Sequence, residues 1–117
     1  MVAMAVDEGG RRVVGFAAFG PGTDEDRWAA TDAELYELCV ESGSIGRGHG
    51  SRLLNAAAGM MAEDGFGTVC AWVLERDAAA SRFLESSGWA ADGVRRTLDM
   101  GTAVPMIRLH AALEPAS

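Results

Sequence analysis

Apolar and polar positions change rhythm several times along this chain, and each rhythm predicts an element. Residues 2–6 and 12–19 are apolar and flank the turn-forming run Asp7–Gly10, which predicts an antiparallel hairpin. Residues 20–32, GPGTDEDRWAATD, are polar with a proline between two glycines, and read as a loop. In residues 33–40, AELYELCV, strict alternation places Leu35, Glu37 and Cys39 on one face and Glu34, Tyr36, Leu38 and Val40 on the other. That predicts a strand with an acidic group on each face.

Beyond it, Leu53, Leu54, Ala57, Ala58 and Met61 recur at three- and four-residue steps, the spacing of an amphipathic helix. The DGFG run at 64–67 ends it. Residues 68–74, TVCAWVL, form a short continuous apolar run, as in a strand covered on both faces. Asp77 is placed to cap a helix over 78–87, and Gly88 to close it. Two further strands follow in WAADGVRRTLDM and VPMIRLHAAL, and Pro105 marks the start of the last or a sheet edge. The predicted order is β-β-β-α-β-α-β-β, with a βαβ unit over residues 33–74.

Length and composition narrow this picture. The 117 residues fit one domain spanning 1–117, long enough to bury a single core. No apolar run is long enough for a transmembrane helix, and the start, MVAMAVDEGG, lacks the basic and apolar regions of a secretory signal. No membrane association and a cytoplasmic location are therefore expected. The net charge of -7 argues against a nucleic-acid partner and is compatible with a cationic substrate. Cys39 and Cys70 are expected to be buried free thiols. Without a CxxC or a His/Cys cluster, no metal site is expected.

The glycines concentrate chemistry at one place. Gly43, Gly46, Gly48 and Gly50 fall within eight positions directly before the first helix. A strand, a glycine-rich turn and a helix N-terminus make an anion site, because the first-turn N–H groups and the positive dipole end face one ligand. The run GRGHGS lacks the GK[ST] ending of a P-loop, and Ser51 occupies the third glycine slot of a dinucleotide fingerprint. On spacing alone, a pyrophosphate cradle and a plain βα turn both remain open.

The segment ELYELCVESGSIGRGHGSRLL resembles the central motif of the GCN5-related N-acetyltransferases, the GNAT family. The family's Q/R-x-x-G-x-G/A loop falls on Ile45, Gly46, Arg47, Gly48, His49 and Gly50. VLERDAAASRFLESSGW and VVGFAAF resemble further family elements, and the likeness runs from about Val2 to Leu113. It implies a GNAT-like α/β (α+β) fold, with a mixed, mostly antiparallel sheet, the central βαβ unit and flanking helices. It also implies acetyl transfer from acetyl-CoA to a primary amine by direct attack. Backbone groups of Leu38, Cys39 and Val40 would run beside the pantetheine arm. Backbone N–H groups of Arg47 to Ser51 would hold the pyrophosphate, with charge from Arg47, His49 and Arg52. Asp77 and Phe83 would complete the CoA side, although the helix cap is the preferred role for Asp77.

Departures from the family pattern shape the remaining expectations. Ile45 stands where Gln or Arg is usual, Asp77 where Asn is usual, and Leu84 where a tyrosine protonates the leaving thiolate. The only tyrosine is Tyr36. The first hairpin already matches the family's second and third strands, so the usual first strand and two helices are not matched. A homodimer is expected to cover the edge. Glu34 and Glu37 are the candidate bases, Glu34 preferred, with His110 structural or exposed. The competing reading is a non-catalytic acyl-CoA-binding or partner-dependent module.

Overall fold

The computed structural model describes residues 2–7, 13–41, 43 and 48–115. Strands β1 (Val2–Asp7), β2 (Val13–Pro21) and β3 (Asp32–Val40) precede helix α1 (His49–Glu63). Strand β4 (Thr68–Leu74), helix α2 (Ala78–Ser86) and strands β5 (Ala90–Asp99) and β6 (Ala103–Ala112) follow. The predicted order of elements is the observed one. Among the described residues six strands form one sheet in the order β1-β2-β3-β4-β6-β5. Only β3 and β4 pair in parallel; the β1–β2, β2–β3, β4–β6 and β5–β6 ladders are antiparallel. This is the mixed, mostly antiparallel sheet that the resemblance implies, and α1 is the crossover that parallel pairing demands. No helix among the described residues is long and apolar enough to cross a membrane.

Both helices pack on one face of the sheet. Leu53, Leu54, Ala57 and Met61 of α1 join Ala17, Phe19, Ala33, Leu35, Val69, Ala71 and Leu109 of the strands in one core. Leu84 of α2 and Trp89 complete it. Both helices end as their glycines predict. Gly65 and Gly88 have φ of 94° and 92°. Phe66 N–H donates to the Met61 carbonyl, and Trp89 N–H to the Leu84 carbonyl, both at 3.1 Å. A left-handed residue at this place turns the chain so that orphan carbonyls of the last turn are satisfied.

Strand β3 departs from strict alternation. Ala18 pairs with Glu37, whereas Phe19 pairs with Leu35, so Tyr36 is an extra residue that bulges β3. Before the bulge Ala33 and Leu35 face the helices; after it Leu38 and Val40 do. Glu37 and Cys39 therefore turn to the face that Glu34 occupies. The expectation that Glu34 and Glu37 point to opposite faces is corrected: an inserted residue shifts the two-residue period by one. Cys39 is corrected too. Both cysteines are free, but Cys39 is exposed and only Cys70 is buried.

Candidate active site

The sheet divides at the parallel joint between β3 and β4. The pairs Asp32↔Thr68, Ala33↔Val69 and Glu34↔Cys70 make the whole β3–β4 ladder. Beyond Glu34 and Cys70 the strands run on to Val40 and Leu74 without pairing to each other. On their outer sides they stay attached, β3 to β2 as far as Gly15↔Val40 and β4 to β6 as far as Leu74↔Met106. The result is a wedge in the middle of the sheet. Its walls are backbone edges of Leu35–Val40 and Ala71–Leu74, and an extended chain with amide groups could bond there as an added strand.

The N-terminus of α1 stands at the mouth of the wedge. Its N-cap is Gly48, with φ 79° and no side-chain cap, and the first turn holds no acidic residue. The first intrahelical bond of this turn runs from Arg52 N–H to the Gly48 carbonyl. The N–H groups of His49, Gly50 and Ser51 thus have no intrahelical acceptor among the described residues, and they stand at the positive end of the helix dipole. His49 is 5% exposed. Its Nδ1 lies 2.8 Å from Arg52 Nη2, while its buried Nε2 has no partner among the described residues. An orphaned ring nitrogen beside uncapped amides fits an anion.

Local packing brings the other expected residues to this mouth. A Cβ at Gly50 would lie 3.4 Å from the Phe83 ring and 3.9 Å from Val40 Cγ2, so α1, α2 and β3 meet here. Leu38, Cys39 and Val40 line one wall of the wedge. Ile45, Gly46 and Arg47 lie outside the described residues. Asp77 is the α2 N-cap and accepts from Ala80 N–H at 3.0 Å. Leu84 is buried in the core and supplies no proton. The Tyr36 hydroxyl donates to the Pro21 carbonyl at 2.5 Å.

At the apex, Glu34 is 9% exposed and lies on the face away from the helices. Thr23 donates to its Oε1 twice, from the backbone N–H at 3.3 Å and the hydroxyl at 3.2 Å. Asp24, Glu34 and Cys70 each place a side-chain ligand atom within 4.8 Å of the others. Burial pushes the Cys70 thiol up to about 11, helped by the nearby Glu34 charge. That keeps it protonated and a poor ligand for a cation at neutral pH. Glu37 is exposed on the same face. His110 pairs with Cys70 across the β4–β6 ladder and is half-buried there.

Sequence reasoning missed the groups that hold this face together. Arg108 of β6 is 3% exposed and donates to Asp24, Asp26 and Asp92. The Trp72 indole N–H donates to Asp24 at 2.9 Å, and Arg96 stacks 4.2 Å above the Trp72 ring. The signal was present: an arginine between Ile107 and Leu109 in an apolar strand must find counter-charges when buried. The run Thr23-Asp24-Glu25-Asp26 offers them. A separate groove of about 770 Å³ lies at the far end of α1, lined by Leu54, Ala58, Val69, Trp89 and Leu113. Neither the first turn of α1 nor Glu34 lines it, so the wedge is the chemically equipped place.

The acetyltransferase (GNAT) family model matches residues 1–89. The chain belongs to the GNAT family of acetyltransferases. It is accordingly an N-acetyltransferase that takes its acetyl group from acetyl-CoA. Solved structures share the GNAT fold. Ribosomal-protein-alanine N-acetyltransferase from Brucella melitensis is 22% identical, with a TM-score of 0.81 over 95% of this chain and 68% of its own. A putative acetyltransferase from Salmonella typhimurium, solved with acetyl-CoA, is 20% identical, with a TM-score of 0.80 over 98% and 66%. An aminoglycoside 6'-N-acetyltransferase complexed with coenzyme A is 21% identical, with a TM-score of 0.76 over 98% and 74%. This GNAT chain thus spans roughly two thirds to three quarters of their lengths. Comparison with curated proteins finds no match.

Proposed function

We propose that acetyl transfer takes place at the apex of the β3–β4 wedge, with the donor entering from the helix side and a primary amine from the Glu34 face. The observation that carries this reading is the end of the parallel ladder at Glu34↔Cys70, open toward the uncapped N-terminus of α1. The pantetheine arm would bond along Leu38, Cys39 and Val40. The pyrophosphate would take the N–H groups of His49, Gly50 and Ser51, with His49 Nε2 and the Ile45-Gly46-Arg47-Gly48 loop around it. Phe83 would pack beside the arm, while Asp77 serves its helix cap.

The thioester carbonyl of bound acetyl-CoA is the electrophile. Glu34 would act as general base, directly or through water, because an amine attacks only when neutral. A wedge-facing N–H of residues 38–40 would stabilise the oxyanion. Glu37, on the same face, would draw a cationic acceptor toward the wedge. A thiolate leaves readily near neutral pH, so the transfer needs no acid at Leu84. Within the cell we place the enzyme in the cytoplasm as a homodimer, in which a second copy would cover an edge strand of the sheet, β1 or β5.

Calorimetric titration with acetyl-CoA, and with S-acetylpantetheine, which lacks the pyrophosphate and nucleotide, tests the donor site. Thiol release with polyamines, amino acids and an alanyl peptide tests the acceptor. One-to-one binding that requires the pyrophosphate, with thiol release stimulated by an amine, supports the reading. Binding indifferent to the pyrophosphate overturns the cradle.

A further inference from the structure

On the face opposite the helices, one buried cation organises the surroundings of Glu34. Arg108 donates from Nε to Asp92 Oδ2 at 2.7 Å and from Nη1 to Asp24 Oδ2 at 2.9 Å and Asp26 Oδ1 at 2.7 Å. Its Nη2 donates to Asp26 Oδ2 at 2.5 Å. The pairing to Asp26 is two-pronged, the geometry that a guanidinium fork matches and an ammonium does not. Asp24 and Asp26 belong to the loop between β2 and β3, and Asp92 to β5. A second tie, Arg27 to Asp92 at 3.2 Å, fastens the same loop. The residue before Asp24 is Thr23, which makes both hydrogen bonds to Glu34.

We infer that Arg108 is a positioning residue for acetyl transfer: by pinning the 22–31 loop, it holds Thr23 against Glu34 and so aims the carboxylate at the wedge. The inference rests on the assignment of Glu34 as the base.

Stability alone accounts poorly for this arrangement. Desolvating a guanidinium and its carboxylates offsets much of their attraction, and an apolar cluster of similar volume often serves a sheet as well. What the ion cluster adds is a defined place for the loop. The path is short and made of directional bonds, from Arg108 to Asp24 and Asp26, along one peptide to Thr23, and on to Glu34. Trp72 adds a further bond to Asp24 from β4, the wedge's other wall. Without the pin, Thr23 would leave a carboxylate at the apex free to rotate, and the fraction of productive encounters would fall. Substrate affinity would be unaffected.

The test is steady-state kinetics of the full chain, by thiol release from acetyl-CoA with the best acceptor among polyamines, amino acids and an alanyl peptide. Calorimetric affinity for acetyl-CoA is measured alongside. Thr23 is exposed, so Thr23→Val leaves the fold intact and removes one of the two bonds. It is expected to lower kcat roughly fivefold at unchanged KM and acetyl-CoA affinity, with Thr23→Ser restoring the rate. Arg108→Lys, which keeps the charge but loses the fork, is expected to lower kcat by about tenfold in the same pattern. Should Arg108→Lys fail to fold, the Thr23 pair decides. If Thr23→Val keeps the wild-type kcat while Glu34→Gln abolishes it, the positioning role is wrong and the base stands. If Glu34→Gln itself keeps kcat, the base assignment fails and the inference falls with it.

Discussion

Glu34 and Cys70 form the last rung of the only parallel ladder among the described residues. Everything proposed for the site follows from the parting of the strands beyond them. Close packing fixes the β3 wall of the parting. On the β3 side, Gly15 lies opposite Val40, and a Cβ there would sit 2.7 Å from the Cys39 carbonyl oxygen and 3.2 Å from Leu53 Cδ1. Gly15 thus lets β3 and α1 approach β2 closely at the wedge mouth. Gly15→Ala must push the β3 backbone aside and is expected to destabilise by about 1–3 kcal/mol, as urea unfolding would measure. It should also weaken acetyl-CoA binding. An alanine variant of wild-type stability would show that the close approach is not required.

Gly48 makes the corresponding prediction for the anion cradle. Its φ of 79° is left-handed, where a side-chain-bearing residue is strained by about 1–2 kcal/mol. A Cβ there would also meet Arg52 Nη1 at 3.1 Å. Gly48→Val should therefore retract the N–H groups of the first turn and reduce acetyl-CoA affinity at least tenfold. Circular dichroism should report a folded chain, because the core packs through Leu53, Leu54, Ala57 and Met61 further along α1. Unchanged affinity in calorimetry would remove the α1 N-terminus from the site.

Much of this was legible in the sequence, for identifiable reasons. Period decided the helices and the order of strands, and glycines at 65 and 88 marked both helix ends, since left-handed geometry leaves few alternatives. Glycines placed before a helical pattern marked the start of α1 near Gly48; the choice of an anion cradle over a plain turn came from the family resemblance. The bulge at Tyr36 was not legible. A two-residue period contains no sign that one residue will be extruded, and that single insertion moved Glu37 and Cys39 to the Glu34 face. The Arg108 cluster was equally hidden, because two of its three carboxylate partners lie 82 and 84 residues away in sequence. Only the oddity of an arginine within an apolar strand hinted at it.

The two thiols should behave as opposites. Burial pushes Cys70 up to about 11, so at pH 8 it is almost wholly protonated as well as inaccessible, and the thiolate is the reactive form. Cys39 is exposed on the wedge strand. Iodoacetamide at pH 8 should modify Cys39 alone in the native chain, and both in denaturant, as mass spectrometry of peptides would record. If the pantetheine arm lies along residues 38–40, saturating acetyl-CoA should slow the modification of Cys39. Native labelling of Cys70 would contradict the packing of the apex.

Acid should dismantle the face that carries Glu34. The bond from Arg108 holds Asp26 down at about 2. The Thr68 hydroxyl, followed by the Trp28 N–H, lowers Asp32. For Asp92, burial pushes upward but is outweighed by the Val94 N–H and by Arg108. Arg108 itself is raised by the same partners, Asp26 first, and remains a cation throughout. A carboxylate whose folded value is depressed stabilises the fold fully above its unfolded value and loses that contribution as pH falls through the folded one. The unfolded values lie near 4. Tm should therefore be level from pH 7 to about 5 and drop between about 4 and 2. Asp26→Asn, at an exposed side chain, should leave a folded protein whose Tm falls less steeply across that window. A main transition near neutral pH would mean that groups other than these aspartates govern stability. An unchanged slope in Asp26→Asn would mean that its bond to Arg108 contributes nothing measurable.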